Sequence, residues 1–169
     1  MFGDVARPKA HLLSPMFSVF RRLIGRPVPE VGSGGDDTAE PDCIFCRRHD
    51  ETLNRVMCEN KLFFARHDNF PANPGHVEIV AKRHVESFFE LTEEEVLEAY
   101  RLLCEARTRV MREYEPPHGY TIGVNEGRAA GRSVDHLHVH LIPRYEGDVK
   151  DPRGGIRQAA PNCDPDSWK

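Results

Sequence analysis

The sequence predicts an α+β fold: an antiparallel sheet of about five strands with one long helix and one shorter one. Three observations carry this. Several short runs rich in β-formers alternate apolar and polar residues, as half-buried strands do. One stretch, Thr92 to about Tyr114, repeats its apolar residues at helical spacing instead. Pro-, Gly- and Asn-containing segments punctuate these runs and read as loops.

Taken in order, Arg55 to Glu59 and Leu62 to Arg66 are the first two strands, joined by an Asn60-Lys61 turn. His67 to Gly75 (HDNFPANPG) is a loop, and His76 to Ala81 (HVEIVA) is the third strand. Val85 to Leu91 leads into the long helix. Thr92-Glu93-Glu94-Glu95 is a capping box, in which the Thr92 hydroxyl accepts the N3 amide and Glu95 reaches back. Its acids also suit the positive end of the helix. Val96, Leu97, Tyr100, Leu103, Cys104, Val110 and Met111 form the stripe expected to face the core. Glu115-Pro116-Pro117-His118-Gly119 ends the helix, and Tyr120 to Val124 is the fourth strand. The fifth is His136 to Ile142 (HLHVHLI). After it, Asp151 to Arg157 (DPRGGIR) is rich in turn formers and is placed to cover a site mouth or meet a partner.

The first 41 residues differ from the rest. His11 to Ile24 has enough periodicity for a short amphipathic helix, interrupted at Pro15, and lacks the features of a signal peptide. Gly25 to Pro41 is rich in Gly, Pro and acids and reads as a linker. With 169 residues, the chain suits one domain with a sizeable core and additional terminal segments. The net charge of −4 gives no basic excess for general nucleic-acid binding, so an anionic ligand must be met by local groups. No apolar run has the length of a membrane span. The five cysteines (Cys43, Cys46, Cys58, Cys104, Cys163) are odd in number and irregular in spacing, which favours a reducing, cytoplasmic setting over a disulfide framework.

The fifth strand is the most informative stretch. Alternation sends Leu137, Val139 and Leu141 to one face and His136, His138 and His140 to the other, as a row of imidazoles roughly 6–7 Å apart. Two chemistries suit such a row. Alternate histidines can reach one metal ion. A neutral imidazole can also attack phosphorus when a hydrogen bond at its other nitrogen fixes the tautomer. A surface strand with histidines by accident is the bland alternative. The preceding run, Asn125-Glu126-Gly127-Arg128-Ala129-Ala130-Gly131-Arg132-Ser133-Val134-Asp135, offers an anion backbone amides, hydroxyl, amide and guanidinium donors, which favours catalysis. Cys43-Ile44-Phe45-Cys46 has three readings: a metal clip, a redox pair or coincidence.

His136 to Ile142 resembles the signature of the histidine triad (HIT) superfamily. Asn125-Glu126-Gly127, Gly131-Arg132-Ser133-Val134 and Pro143-Arg144 match as well, and the resemblance covers about Asp42 to Arg157. It divides the chain into an extension over 1–41, a domain over 42–157 and a tail over 158–169. It implies an enzyme acting on a nucleotide at its α-phosphorus, with His138 as nucleophile and His136 and His140 beside it. It further implies that Asp68 binds the ribose hydroxyls, that Asn125 and Ser133 meet phosphate or leaving group, and that His76 supports the triad. A structural Zn²⁺ on Cys43, Cys46, His84 and His136 and a two-fold homodimer follow from the same resemblance; no organic cofactor does.

Arg132 stands where the superfamily's hydrolases carry glutamine. An arginine can bind a polyphosphate but cannot accept a proton from water, so transfer to another acceptor comes into view. Dinucleoside polyphosphate hydrolysis is the leading expectation. Nucleoside phosphoramidase or nucleotidyl transferase is the alternative, and a nucleotide-binding signalling module without turnover is the non-enzyme one. Attack needs a neutral ring, so activity is expected to fall as pH drops through the imidazole range, about 6–7.

Overall fold

The computed structural model describes residues 38–167. The expected amphipathic helix at His11 to Ile24, most of the linker and Trp168 lie outside the described residues. Five antiparallel strands form one sheet: β1 (Arg55–Glu59), β2 (Phe63–His67), β3 (Val77–Ala81), β4 (Gly119–Gly123) and β5 (His138–Arg144). Their spatial order is β1-β2-β3-β5-β4. The histidine strand is therefore flanked on both sides, by β3 with Val80 opposite His138 and Glu78 opposite His140, and by β4 with Gly123 opposite His140.

The long helix α1 (Glu93–Glu113) crosses one face of the sheet. The capping box forms as expected: Glu95 N–H donates to Thr92 Oγ1 at 3.2 Å, and Thr92 N–H donates to Glu95 Oε2 at 2.8 Å. Glu95 also receives Arg83 Nη2 at 3.1 Å, so a single buried carboxylate starts the helix and ties it to the end of β3. Such a cap stabilises a helix by about 1 kcal/mol. Among the described residues, the shorter helical elements are 3₁₀ turns, one of them Phe88–Glu90 ahead of α1.

The face that α1 buries differs from the expected stripe. Ala99, Leu102, Ala106 and Val110 pack on the sheet, whereas Val96, Leu97, Tyr100 and Met111 are exposed, and so is Cys104. Of the expected residues, Val110 is buried and Leu103 packs partly against the core. The reason is steric. Two alanines let the helix lie close to the strands, and alanine carries little weight in a hydrophobic pattern. The core beneath joins these residues to Phe63, Ala65, Val77, Ile79, Leu137 and Leu141. Each large side chain there contributes about 1.5–3 kcal/mol by leaving water. Gly75 turns the chain into β3 at φ +81°, and a Cβ there would meet Val110 Cγ1 at 3.0 Å, so no other residue fits without strain.

The opposite face, which carries the histidine row, is covered. The CIFC segment lies across it, and Phe45 joins Phe64 and Val80 in a second, smaller cluster with Cys43, Ile44 and Val134 around it. His136 is 0% exposed and His138 5% as a result. Alternation along a strand gives the face a side chain takes but not what covers that face.

The C-terminal residues also fold back. Arg153 reaches Asp166 at 2.9 Å, and Gln158 Nε2 donates to the carbonyls of Asp151 and Arg153. Among the described residues, no helix is long and apolar enough to cross a membrane.

Candidate active site and metal centre

The site grows out of β5 and the two strands on its β3 side. His138 Nδ1 lies 2.8 Å from the carbonyl oxygen of His136. A carbonyl can only accept, so Nδ1 carries the proton and Nε2 keeps its lone pair. His140 is fixed less directly. The amide of Ala72 donates to His76 Nδ1 at 3.2 Å, which leaves His76 Nε2 as the donor to His140 Nδ1 at 3.0 Å. His140 then carries its proton on Nε2. The rings of His138 and His140 are 4.9 Å apart at 80° to one another. A lone pair on one ring and an N–H donor on its neighbour thus stand side by side, both set by the backbone.

Burial pushes the pKa of His138 below the ordinary histidine value, and the charges of Arg66 and Arg132 add to this. Burial, with His138 and His76 as neighbours, pushes that of His140 down to about 4. Burial also lowers that of His76, while the Asp68 carboxylate, 3.4 Å from its Nδ1, pulls the other way. A ring with a depressed pKa stays neutral as pH falls through 6.5, so the expected loss of activity over about pH 6–7 moves to more acidic pH.

His136 faces a different set of groups from its two neighbours. Its Nε2 donates to the carbonyl of Ala81 at 2.7 Å, which leaves the Nδ1 lone pair facing Cys43 Sγ at 3.3 Å and Cys46 Sγ at 3.6 Å. His84 Nδ1 lies 3.3 Å from Cys46 Sγ, and the donor atoms of all four residues fall within 4.8 Å of one another. Zn–S and Zn–N bonds of about 2.3 and 2.0 Å in a tetrahedron require S···N edges of roughly 3.5 Å, so this donor set fits zinc. The bond from His136 to Ala81 supplies the outer-shell orientation that metal-bound histidines have. Residues just ahead of the clip belong to it too: Thr38 Oγ1 accepts from the amide of His84 at 3.0 Å.

The remaining expected site residues are spread around this centre. Asp68 stands beside His76, its Oδ1 accepting the Phe70 amide at 2.6 Å. Asn125 is half-buried in the loop after β4. Ser133 is exposed and lines a shallow pocket with Cys43, Ile44 and His84. Arg132 is engaged with Glu86 Oε2 at 2.9 Å and Asp135 Oδ1 at 3.1 Å, latching its loop to the segment ahead of α1. Glu126 Oε2 adds a second latch by accepting the Phe88 amide at 3.0 Å.

Two residues not singled out from the sequence stand in the site. Arg66 and Glu78 pair at 2.7 Å with their side chains 3% and 8% exposed. The Arg66 guanidinium also lies over the Phe45 ring, and its Nη2 donates to the carbonyl of Leu53. The signal was present: each is a lone charge within an otherwise apolar strand, FFARH and VEIVA.

A model of the HIT domain matches residues 49–147. An AP-4-A phosphorylase of Mycobacterium tuberculosis is 39% identical over 128 residues, covering 75% of this chain and 65% of that protein. A bis(5'-adenosyl)-triphosphatase of Dictyostelium discoideum is 32% identical over 98 residues, 58% of this chain and 65% of that protein. The chain thus spans 65% of the length of each of these curated relatives. Among solved structures, a Zn-bound histidine triad family protein from Mycobacterium smegmatis is 28% identical with a TM-score of 0.56, covering 63% of this chain and 78% of that one.

Proposed function

The chain belongs to the HIT domain family, and from that premise we propose that it cleaves dinucleoside polyphosphates at the α-phosphorus through a nucleotidyl-His138 intermediate. The observation that carries this is the pair of fixed tautomers: the His138 Nε2 lone pair beside the His140 Nε2–H donor. Attack by a neutral ring splits a difficult displacement into two easier ones. The His140 N–H and the loop bearing Asn125, Arg132 and Ser133 meet the phosphate oxygens, and Asp68 takes the ribose hydroxyls. For Arg132 this means that a phosphate oxygen competes with Glu86 and Asp135. The names of the two curated relatives support the substrate class.

The acceptor in the second step divides hydrolysis from phosphorolysis. The relative named a phosphorylase favours phosphate, and the arginine at position 132 suits an additional anion. Diadenosine tetraphosphate, turned over with and without inorganic phosphate, tests both readings. Water as acceptor releases AMP with ATP, and phosphate releases ADP with ATP. Turnover of adenosine phosphoramidate alone would refute the substrate class, and stoichiometric binding without turnover would refute an enzyme. In the same assay, protonation of the attacking ring falls below the ordinary histidine range, because burial favours the neutral form of both rings; complete loss of kcat by pH 6.5 contradicts this arrangement of the site.

Zinc on Cys43, Cys46, His84 and His136 is part of the proposal. Its role is to hold the N-terminal segment over the triad, and it takes no part in the steps at phosphorus. The odd number and irregular spacing of the five cysteines suit a reducing, cytoplasmic setting. A two-fold dimer is supported by the exposed apolar residues Val96, Leu97 and Tyr100 on α1, together with Ile122 on the edge strand β4. Leu97→Arg with Tyr100→Glu is expected to halve the mass seen by light scattering while melting stays cooperative. A wild-type protein of monomeric mass removes the dimer.

A further inference from the structure

The Arg66–Glu78 pair has no part in the reaction as proposed above, yet it lies under the triad. Register places it there: Glu78 is opposite Arg66 on β2 and opposite His140 on β5. A carboxylate oxygen of Glu78 and ring nitrogens of His138 and His140 all lie within 4.8 Å of one another. Asp68 stands near enough to share a hydrogen bond with Glu78. Burying a charged pair is costly, and well-packed apolar residues of similar volume often serve stability equally well. A carboxylate kept at this position therefore calls for a use.

Resting on the nucleotidyl-His138 reading, we propose that Glu78 is the counter-charge to the nucleotidyl-imidazolium, positioned by Arg66 beneath the reacting ring. When Nε2 attacks, its lone pair forms the N–P bond. The P–O bond to the leaving phosphate breaks, and that electron pair goes to the leaving oxygen. The proton stays on Nδ1, which goes on donating to the His136 carbonyl, so the ring acquires a full positive charge that it lacked before. A fixed carboxylate at this distance, shielded from water, favours the charged ring over the neutral one. In the second step an acceptor oxygen forms the new P–O bond and the N–P pair returns to Nε2. If the acceptor is water, its proton passes to solvent. Glu78 does not meet the phosphorus; it acts through His138 and is a positioning residue. Burial, with Asp68 nearby, raises its pKa to about 7, so its charge is present at pH 8.

The test is a rapid-quench comparison of wild type and Glu78→Gln at pH 8, using diadenosine tetraphosphate labelled at the α-phosphorus. Glutamine keeps the shape and an acceptor for Arg66 but removes the charge. Label should accumulate on the variant roughly tenfold more slowly and leave it several-fold faster, because the charged intermediate alone has lost its partner. Nucleotide affinity should be unchanged. Glu78→Asp, which draws the charge one methylene further back, should show the same split at a smaller size, and it carries the test if the glutamine variant fails to fold. Equal slowing of both steps, or no change in either, overturns the proposal while label on wild-type His138 upholds the reading beneath it. Absence of label on wild type overturns both.

Discussion

His138→Ala is expected to lower turnover of diadenosine tetraphosphate by several orders of magnitude, because no other group in the site combines a free lone pair with a fixed tautomer. His140→Ala should give a partial loss, since it removes a donor and leaves the attacking atom. The effect on stability is not negligible, as it would be for a ring on an open face. His138 is 5% exposed and meets the Phe45 ring edge-on at 5.2 Å. Truncation leaves a small cavity there and is expected to cost about 1–3 kcal/mol, readable as a lower melting temperature of a still cooperative transition. A variant with near-normal kcat removes His138 as nucleophile.

Removing the metal is expected to have the largest effect on stability. Cys43 and Cys46 come from the N-terminal segment, His84 from the turn after β3 and His136 from the entry to β5, so one ion would tie three distant pieces of chain together. Zinc can supply on the order of 10 kcal/mol in small domains that depend on it entirely. Here the α1-side core stands without it, so a smaller loss is expected. About 3 kcal/mol corresponds to a melting temperature lower by roughly 10 °C in a domain of this size. Chelation, Cys43→Ser and His136→Ala should each produce this shift, with one zinc per chain found in wild type and none in either variant. Zinc-free wild-type protein purified without chelator would falsify the clip. The small cluster around Phe45 should loosen first, because without the ion that segment is held over the sheet by its own packing and two Asn54 hydrogen bonds.

Much of this was legible in the residues. The five strands and α1 follow from alternation, helical spacing and the Thr92 capping box, all local signals that tertiary packing reinforces. The metal-ligand set followed from resemblance, and the structure brings the four side chains together with the spacing a tetrahedral ion requires. Less legible was anything set by what packs on what. Val96, Leu97 and Tyr100 form a convincing apolar stripe that α1 turns outward, because Ala99 and Ala106 allow closer approach on the other side. The burial of His136 and His138 depends on Phe45, about ninety residues away in sequence. Arg66 and Glu78 each interrupt an apolar strand, but their pairing needs the β2–β3 register that only the fold supplies. The engagement of Arg132 with Glu86 likewise joins positions 46 residues apart.

In the proposed reaction His138 carries the nucleotide between the two steps, and this transfer can be observed directly. Its most direct test is to mix wild-type protein with diadenosine tetraphosphate labelled at the α-phosphorus, quench within milliseconds under alkaline conditions that preserve phosphohistidine, and map the label by peptide mass spectrometry. The expected result is a single labelled peptide containing His136 to Arg144, with the nucleotidyl group on His138, acid-labile and absent from His138→Ala. Label on any other residue, or turnover with no covalent species at any time, contradicts it.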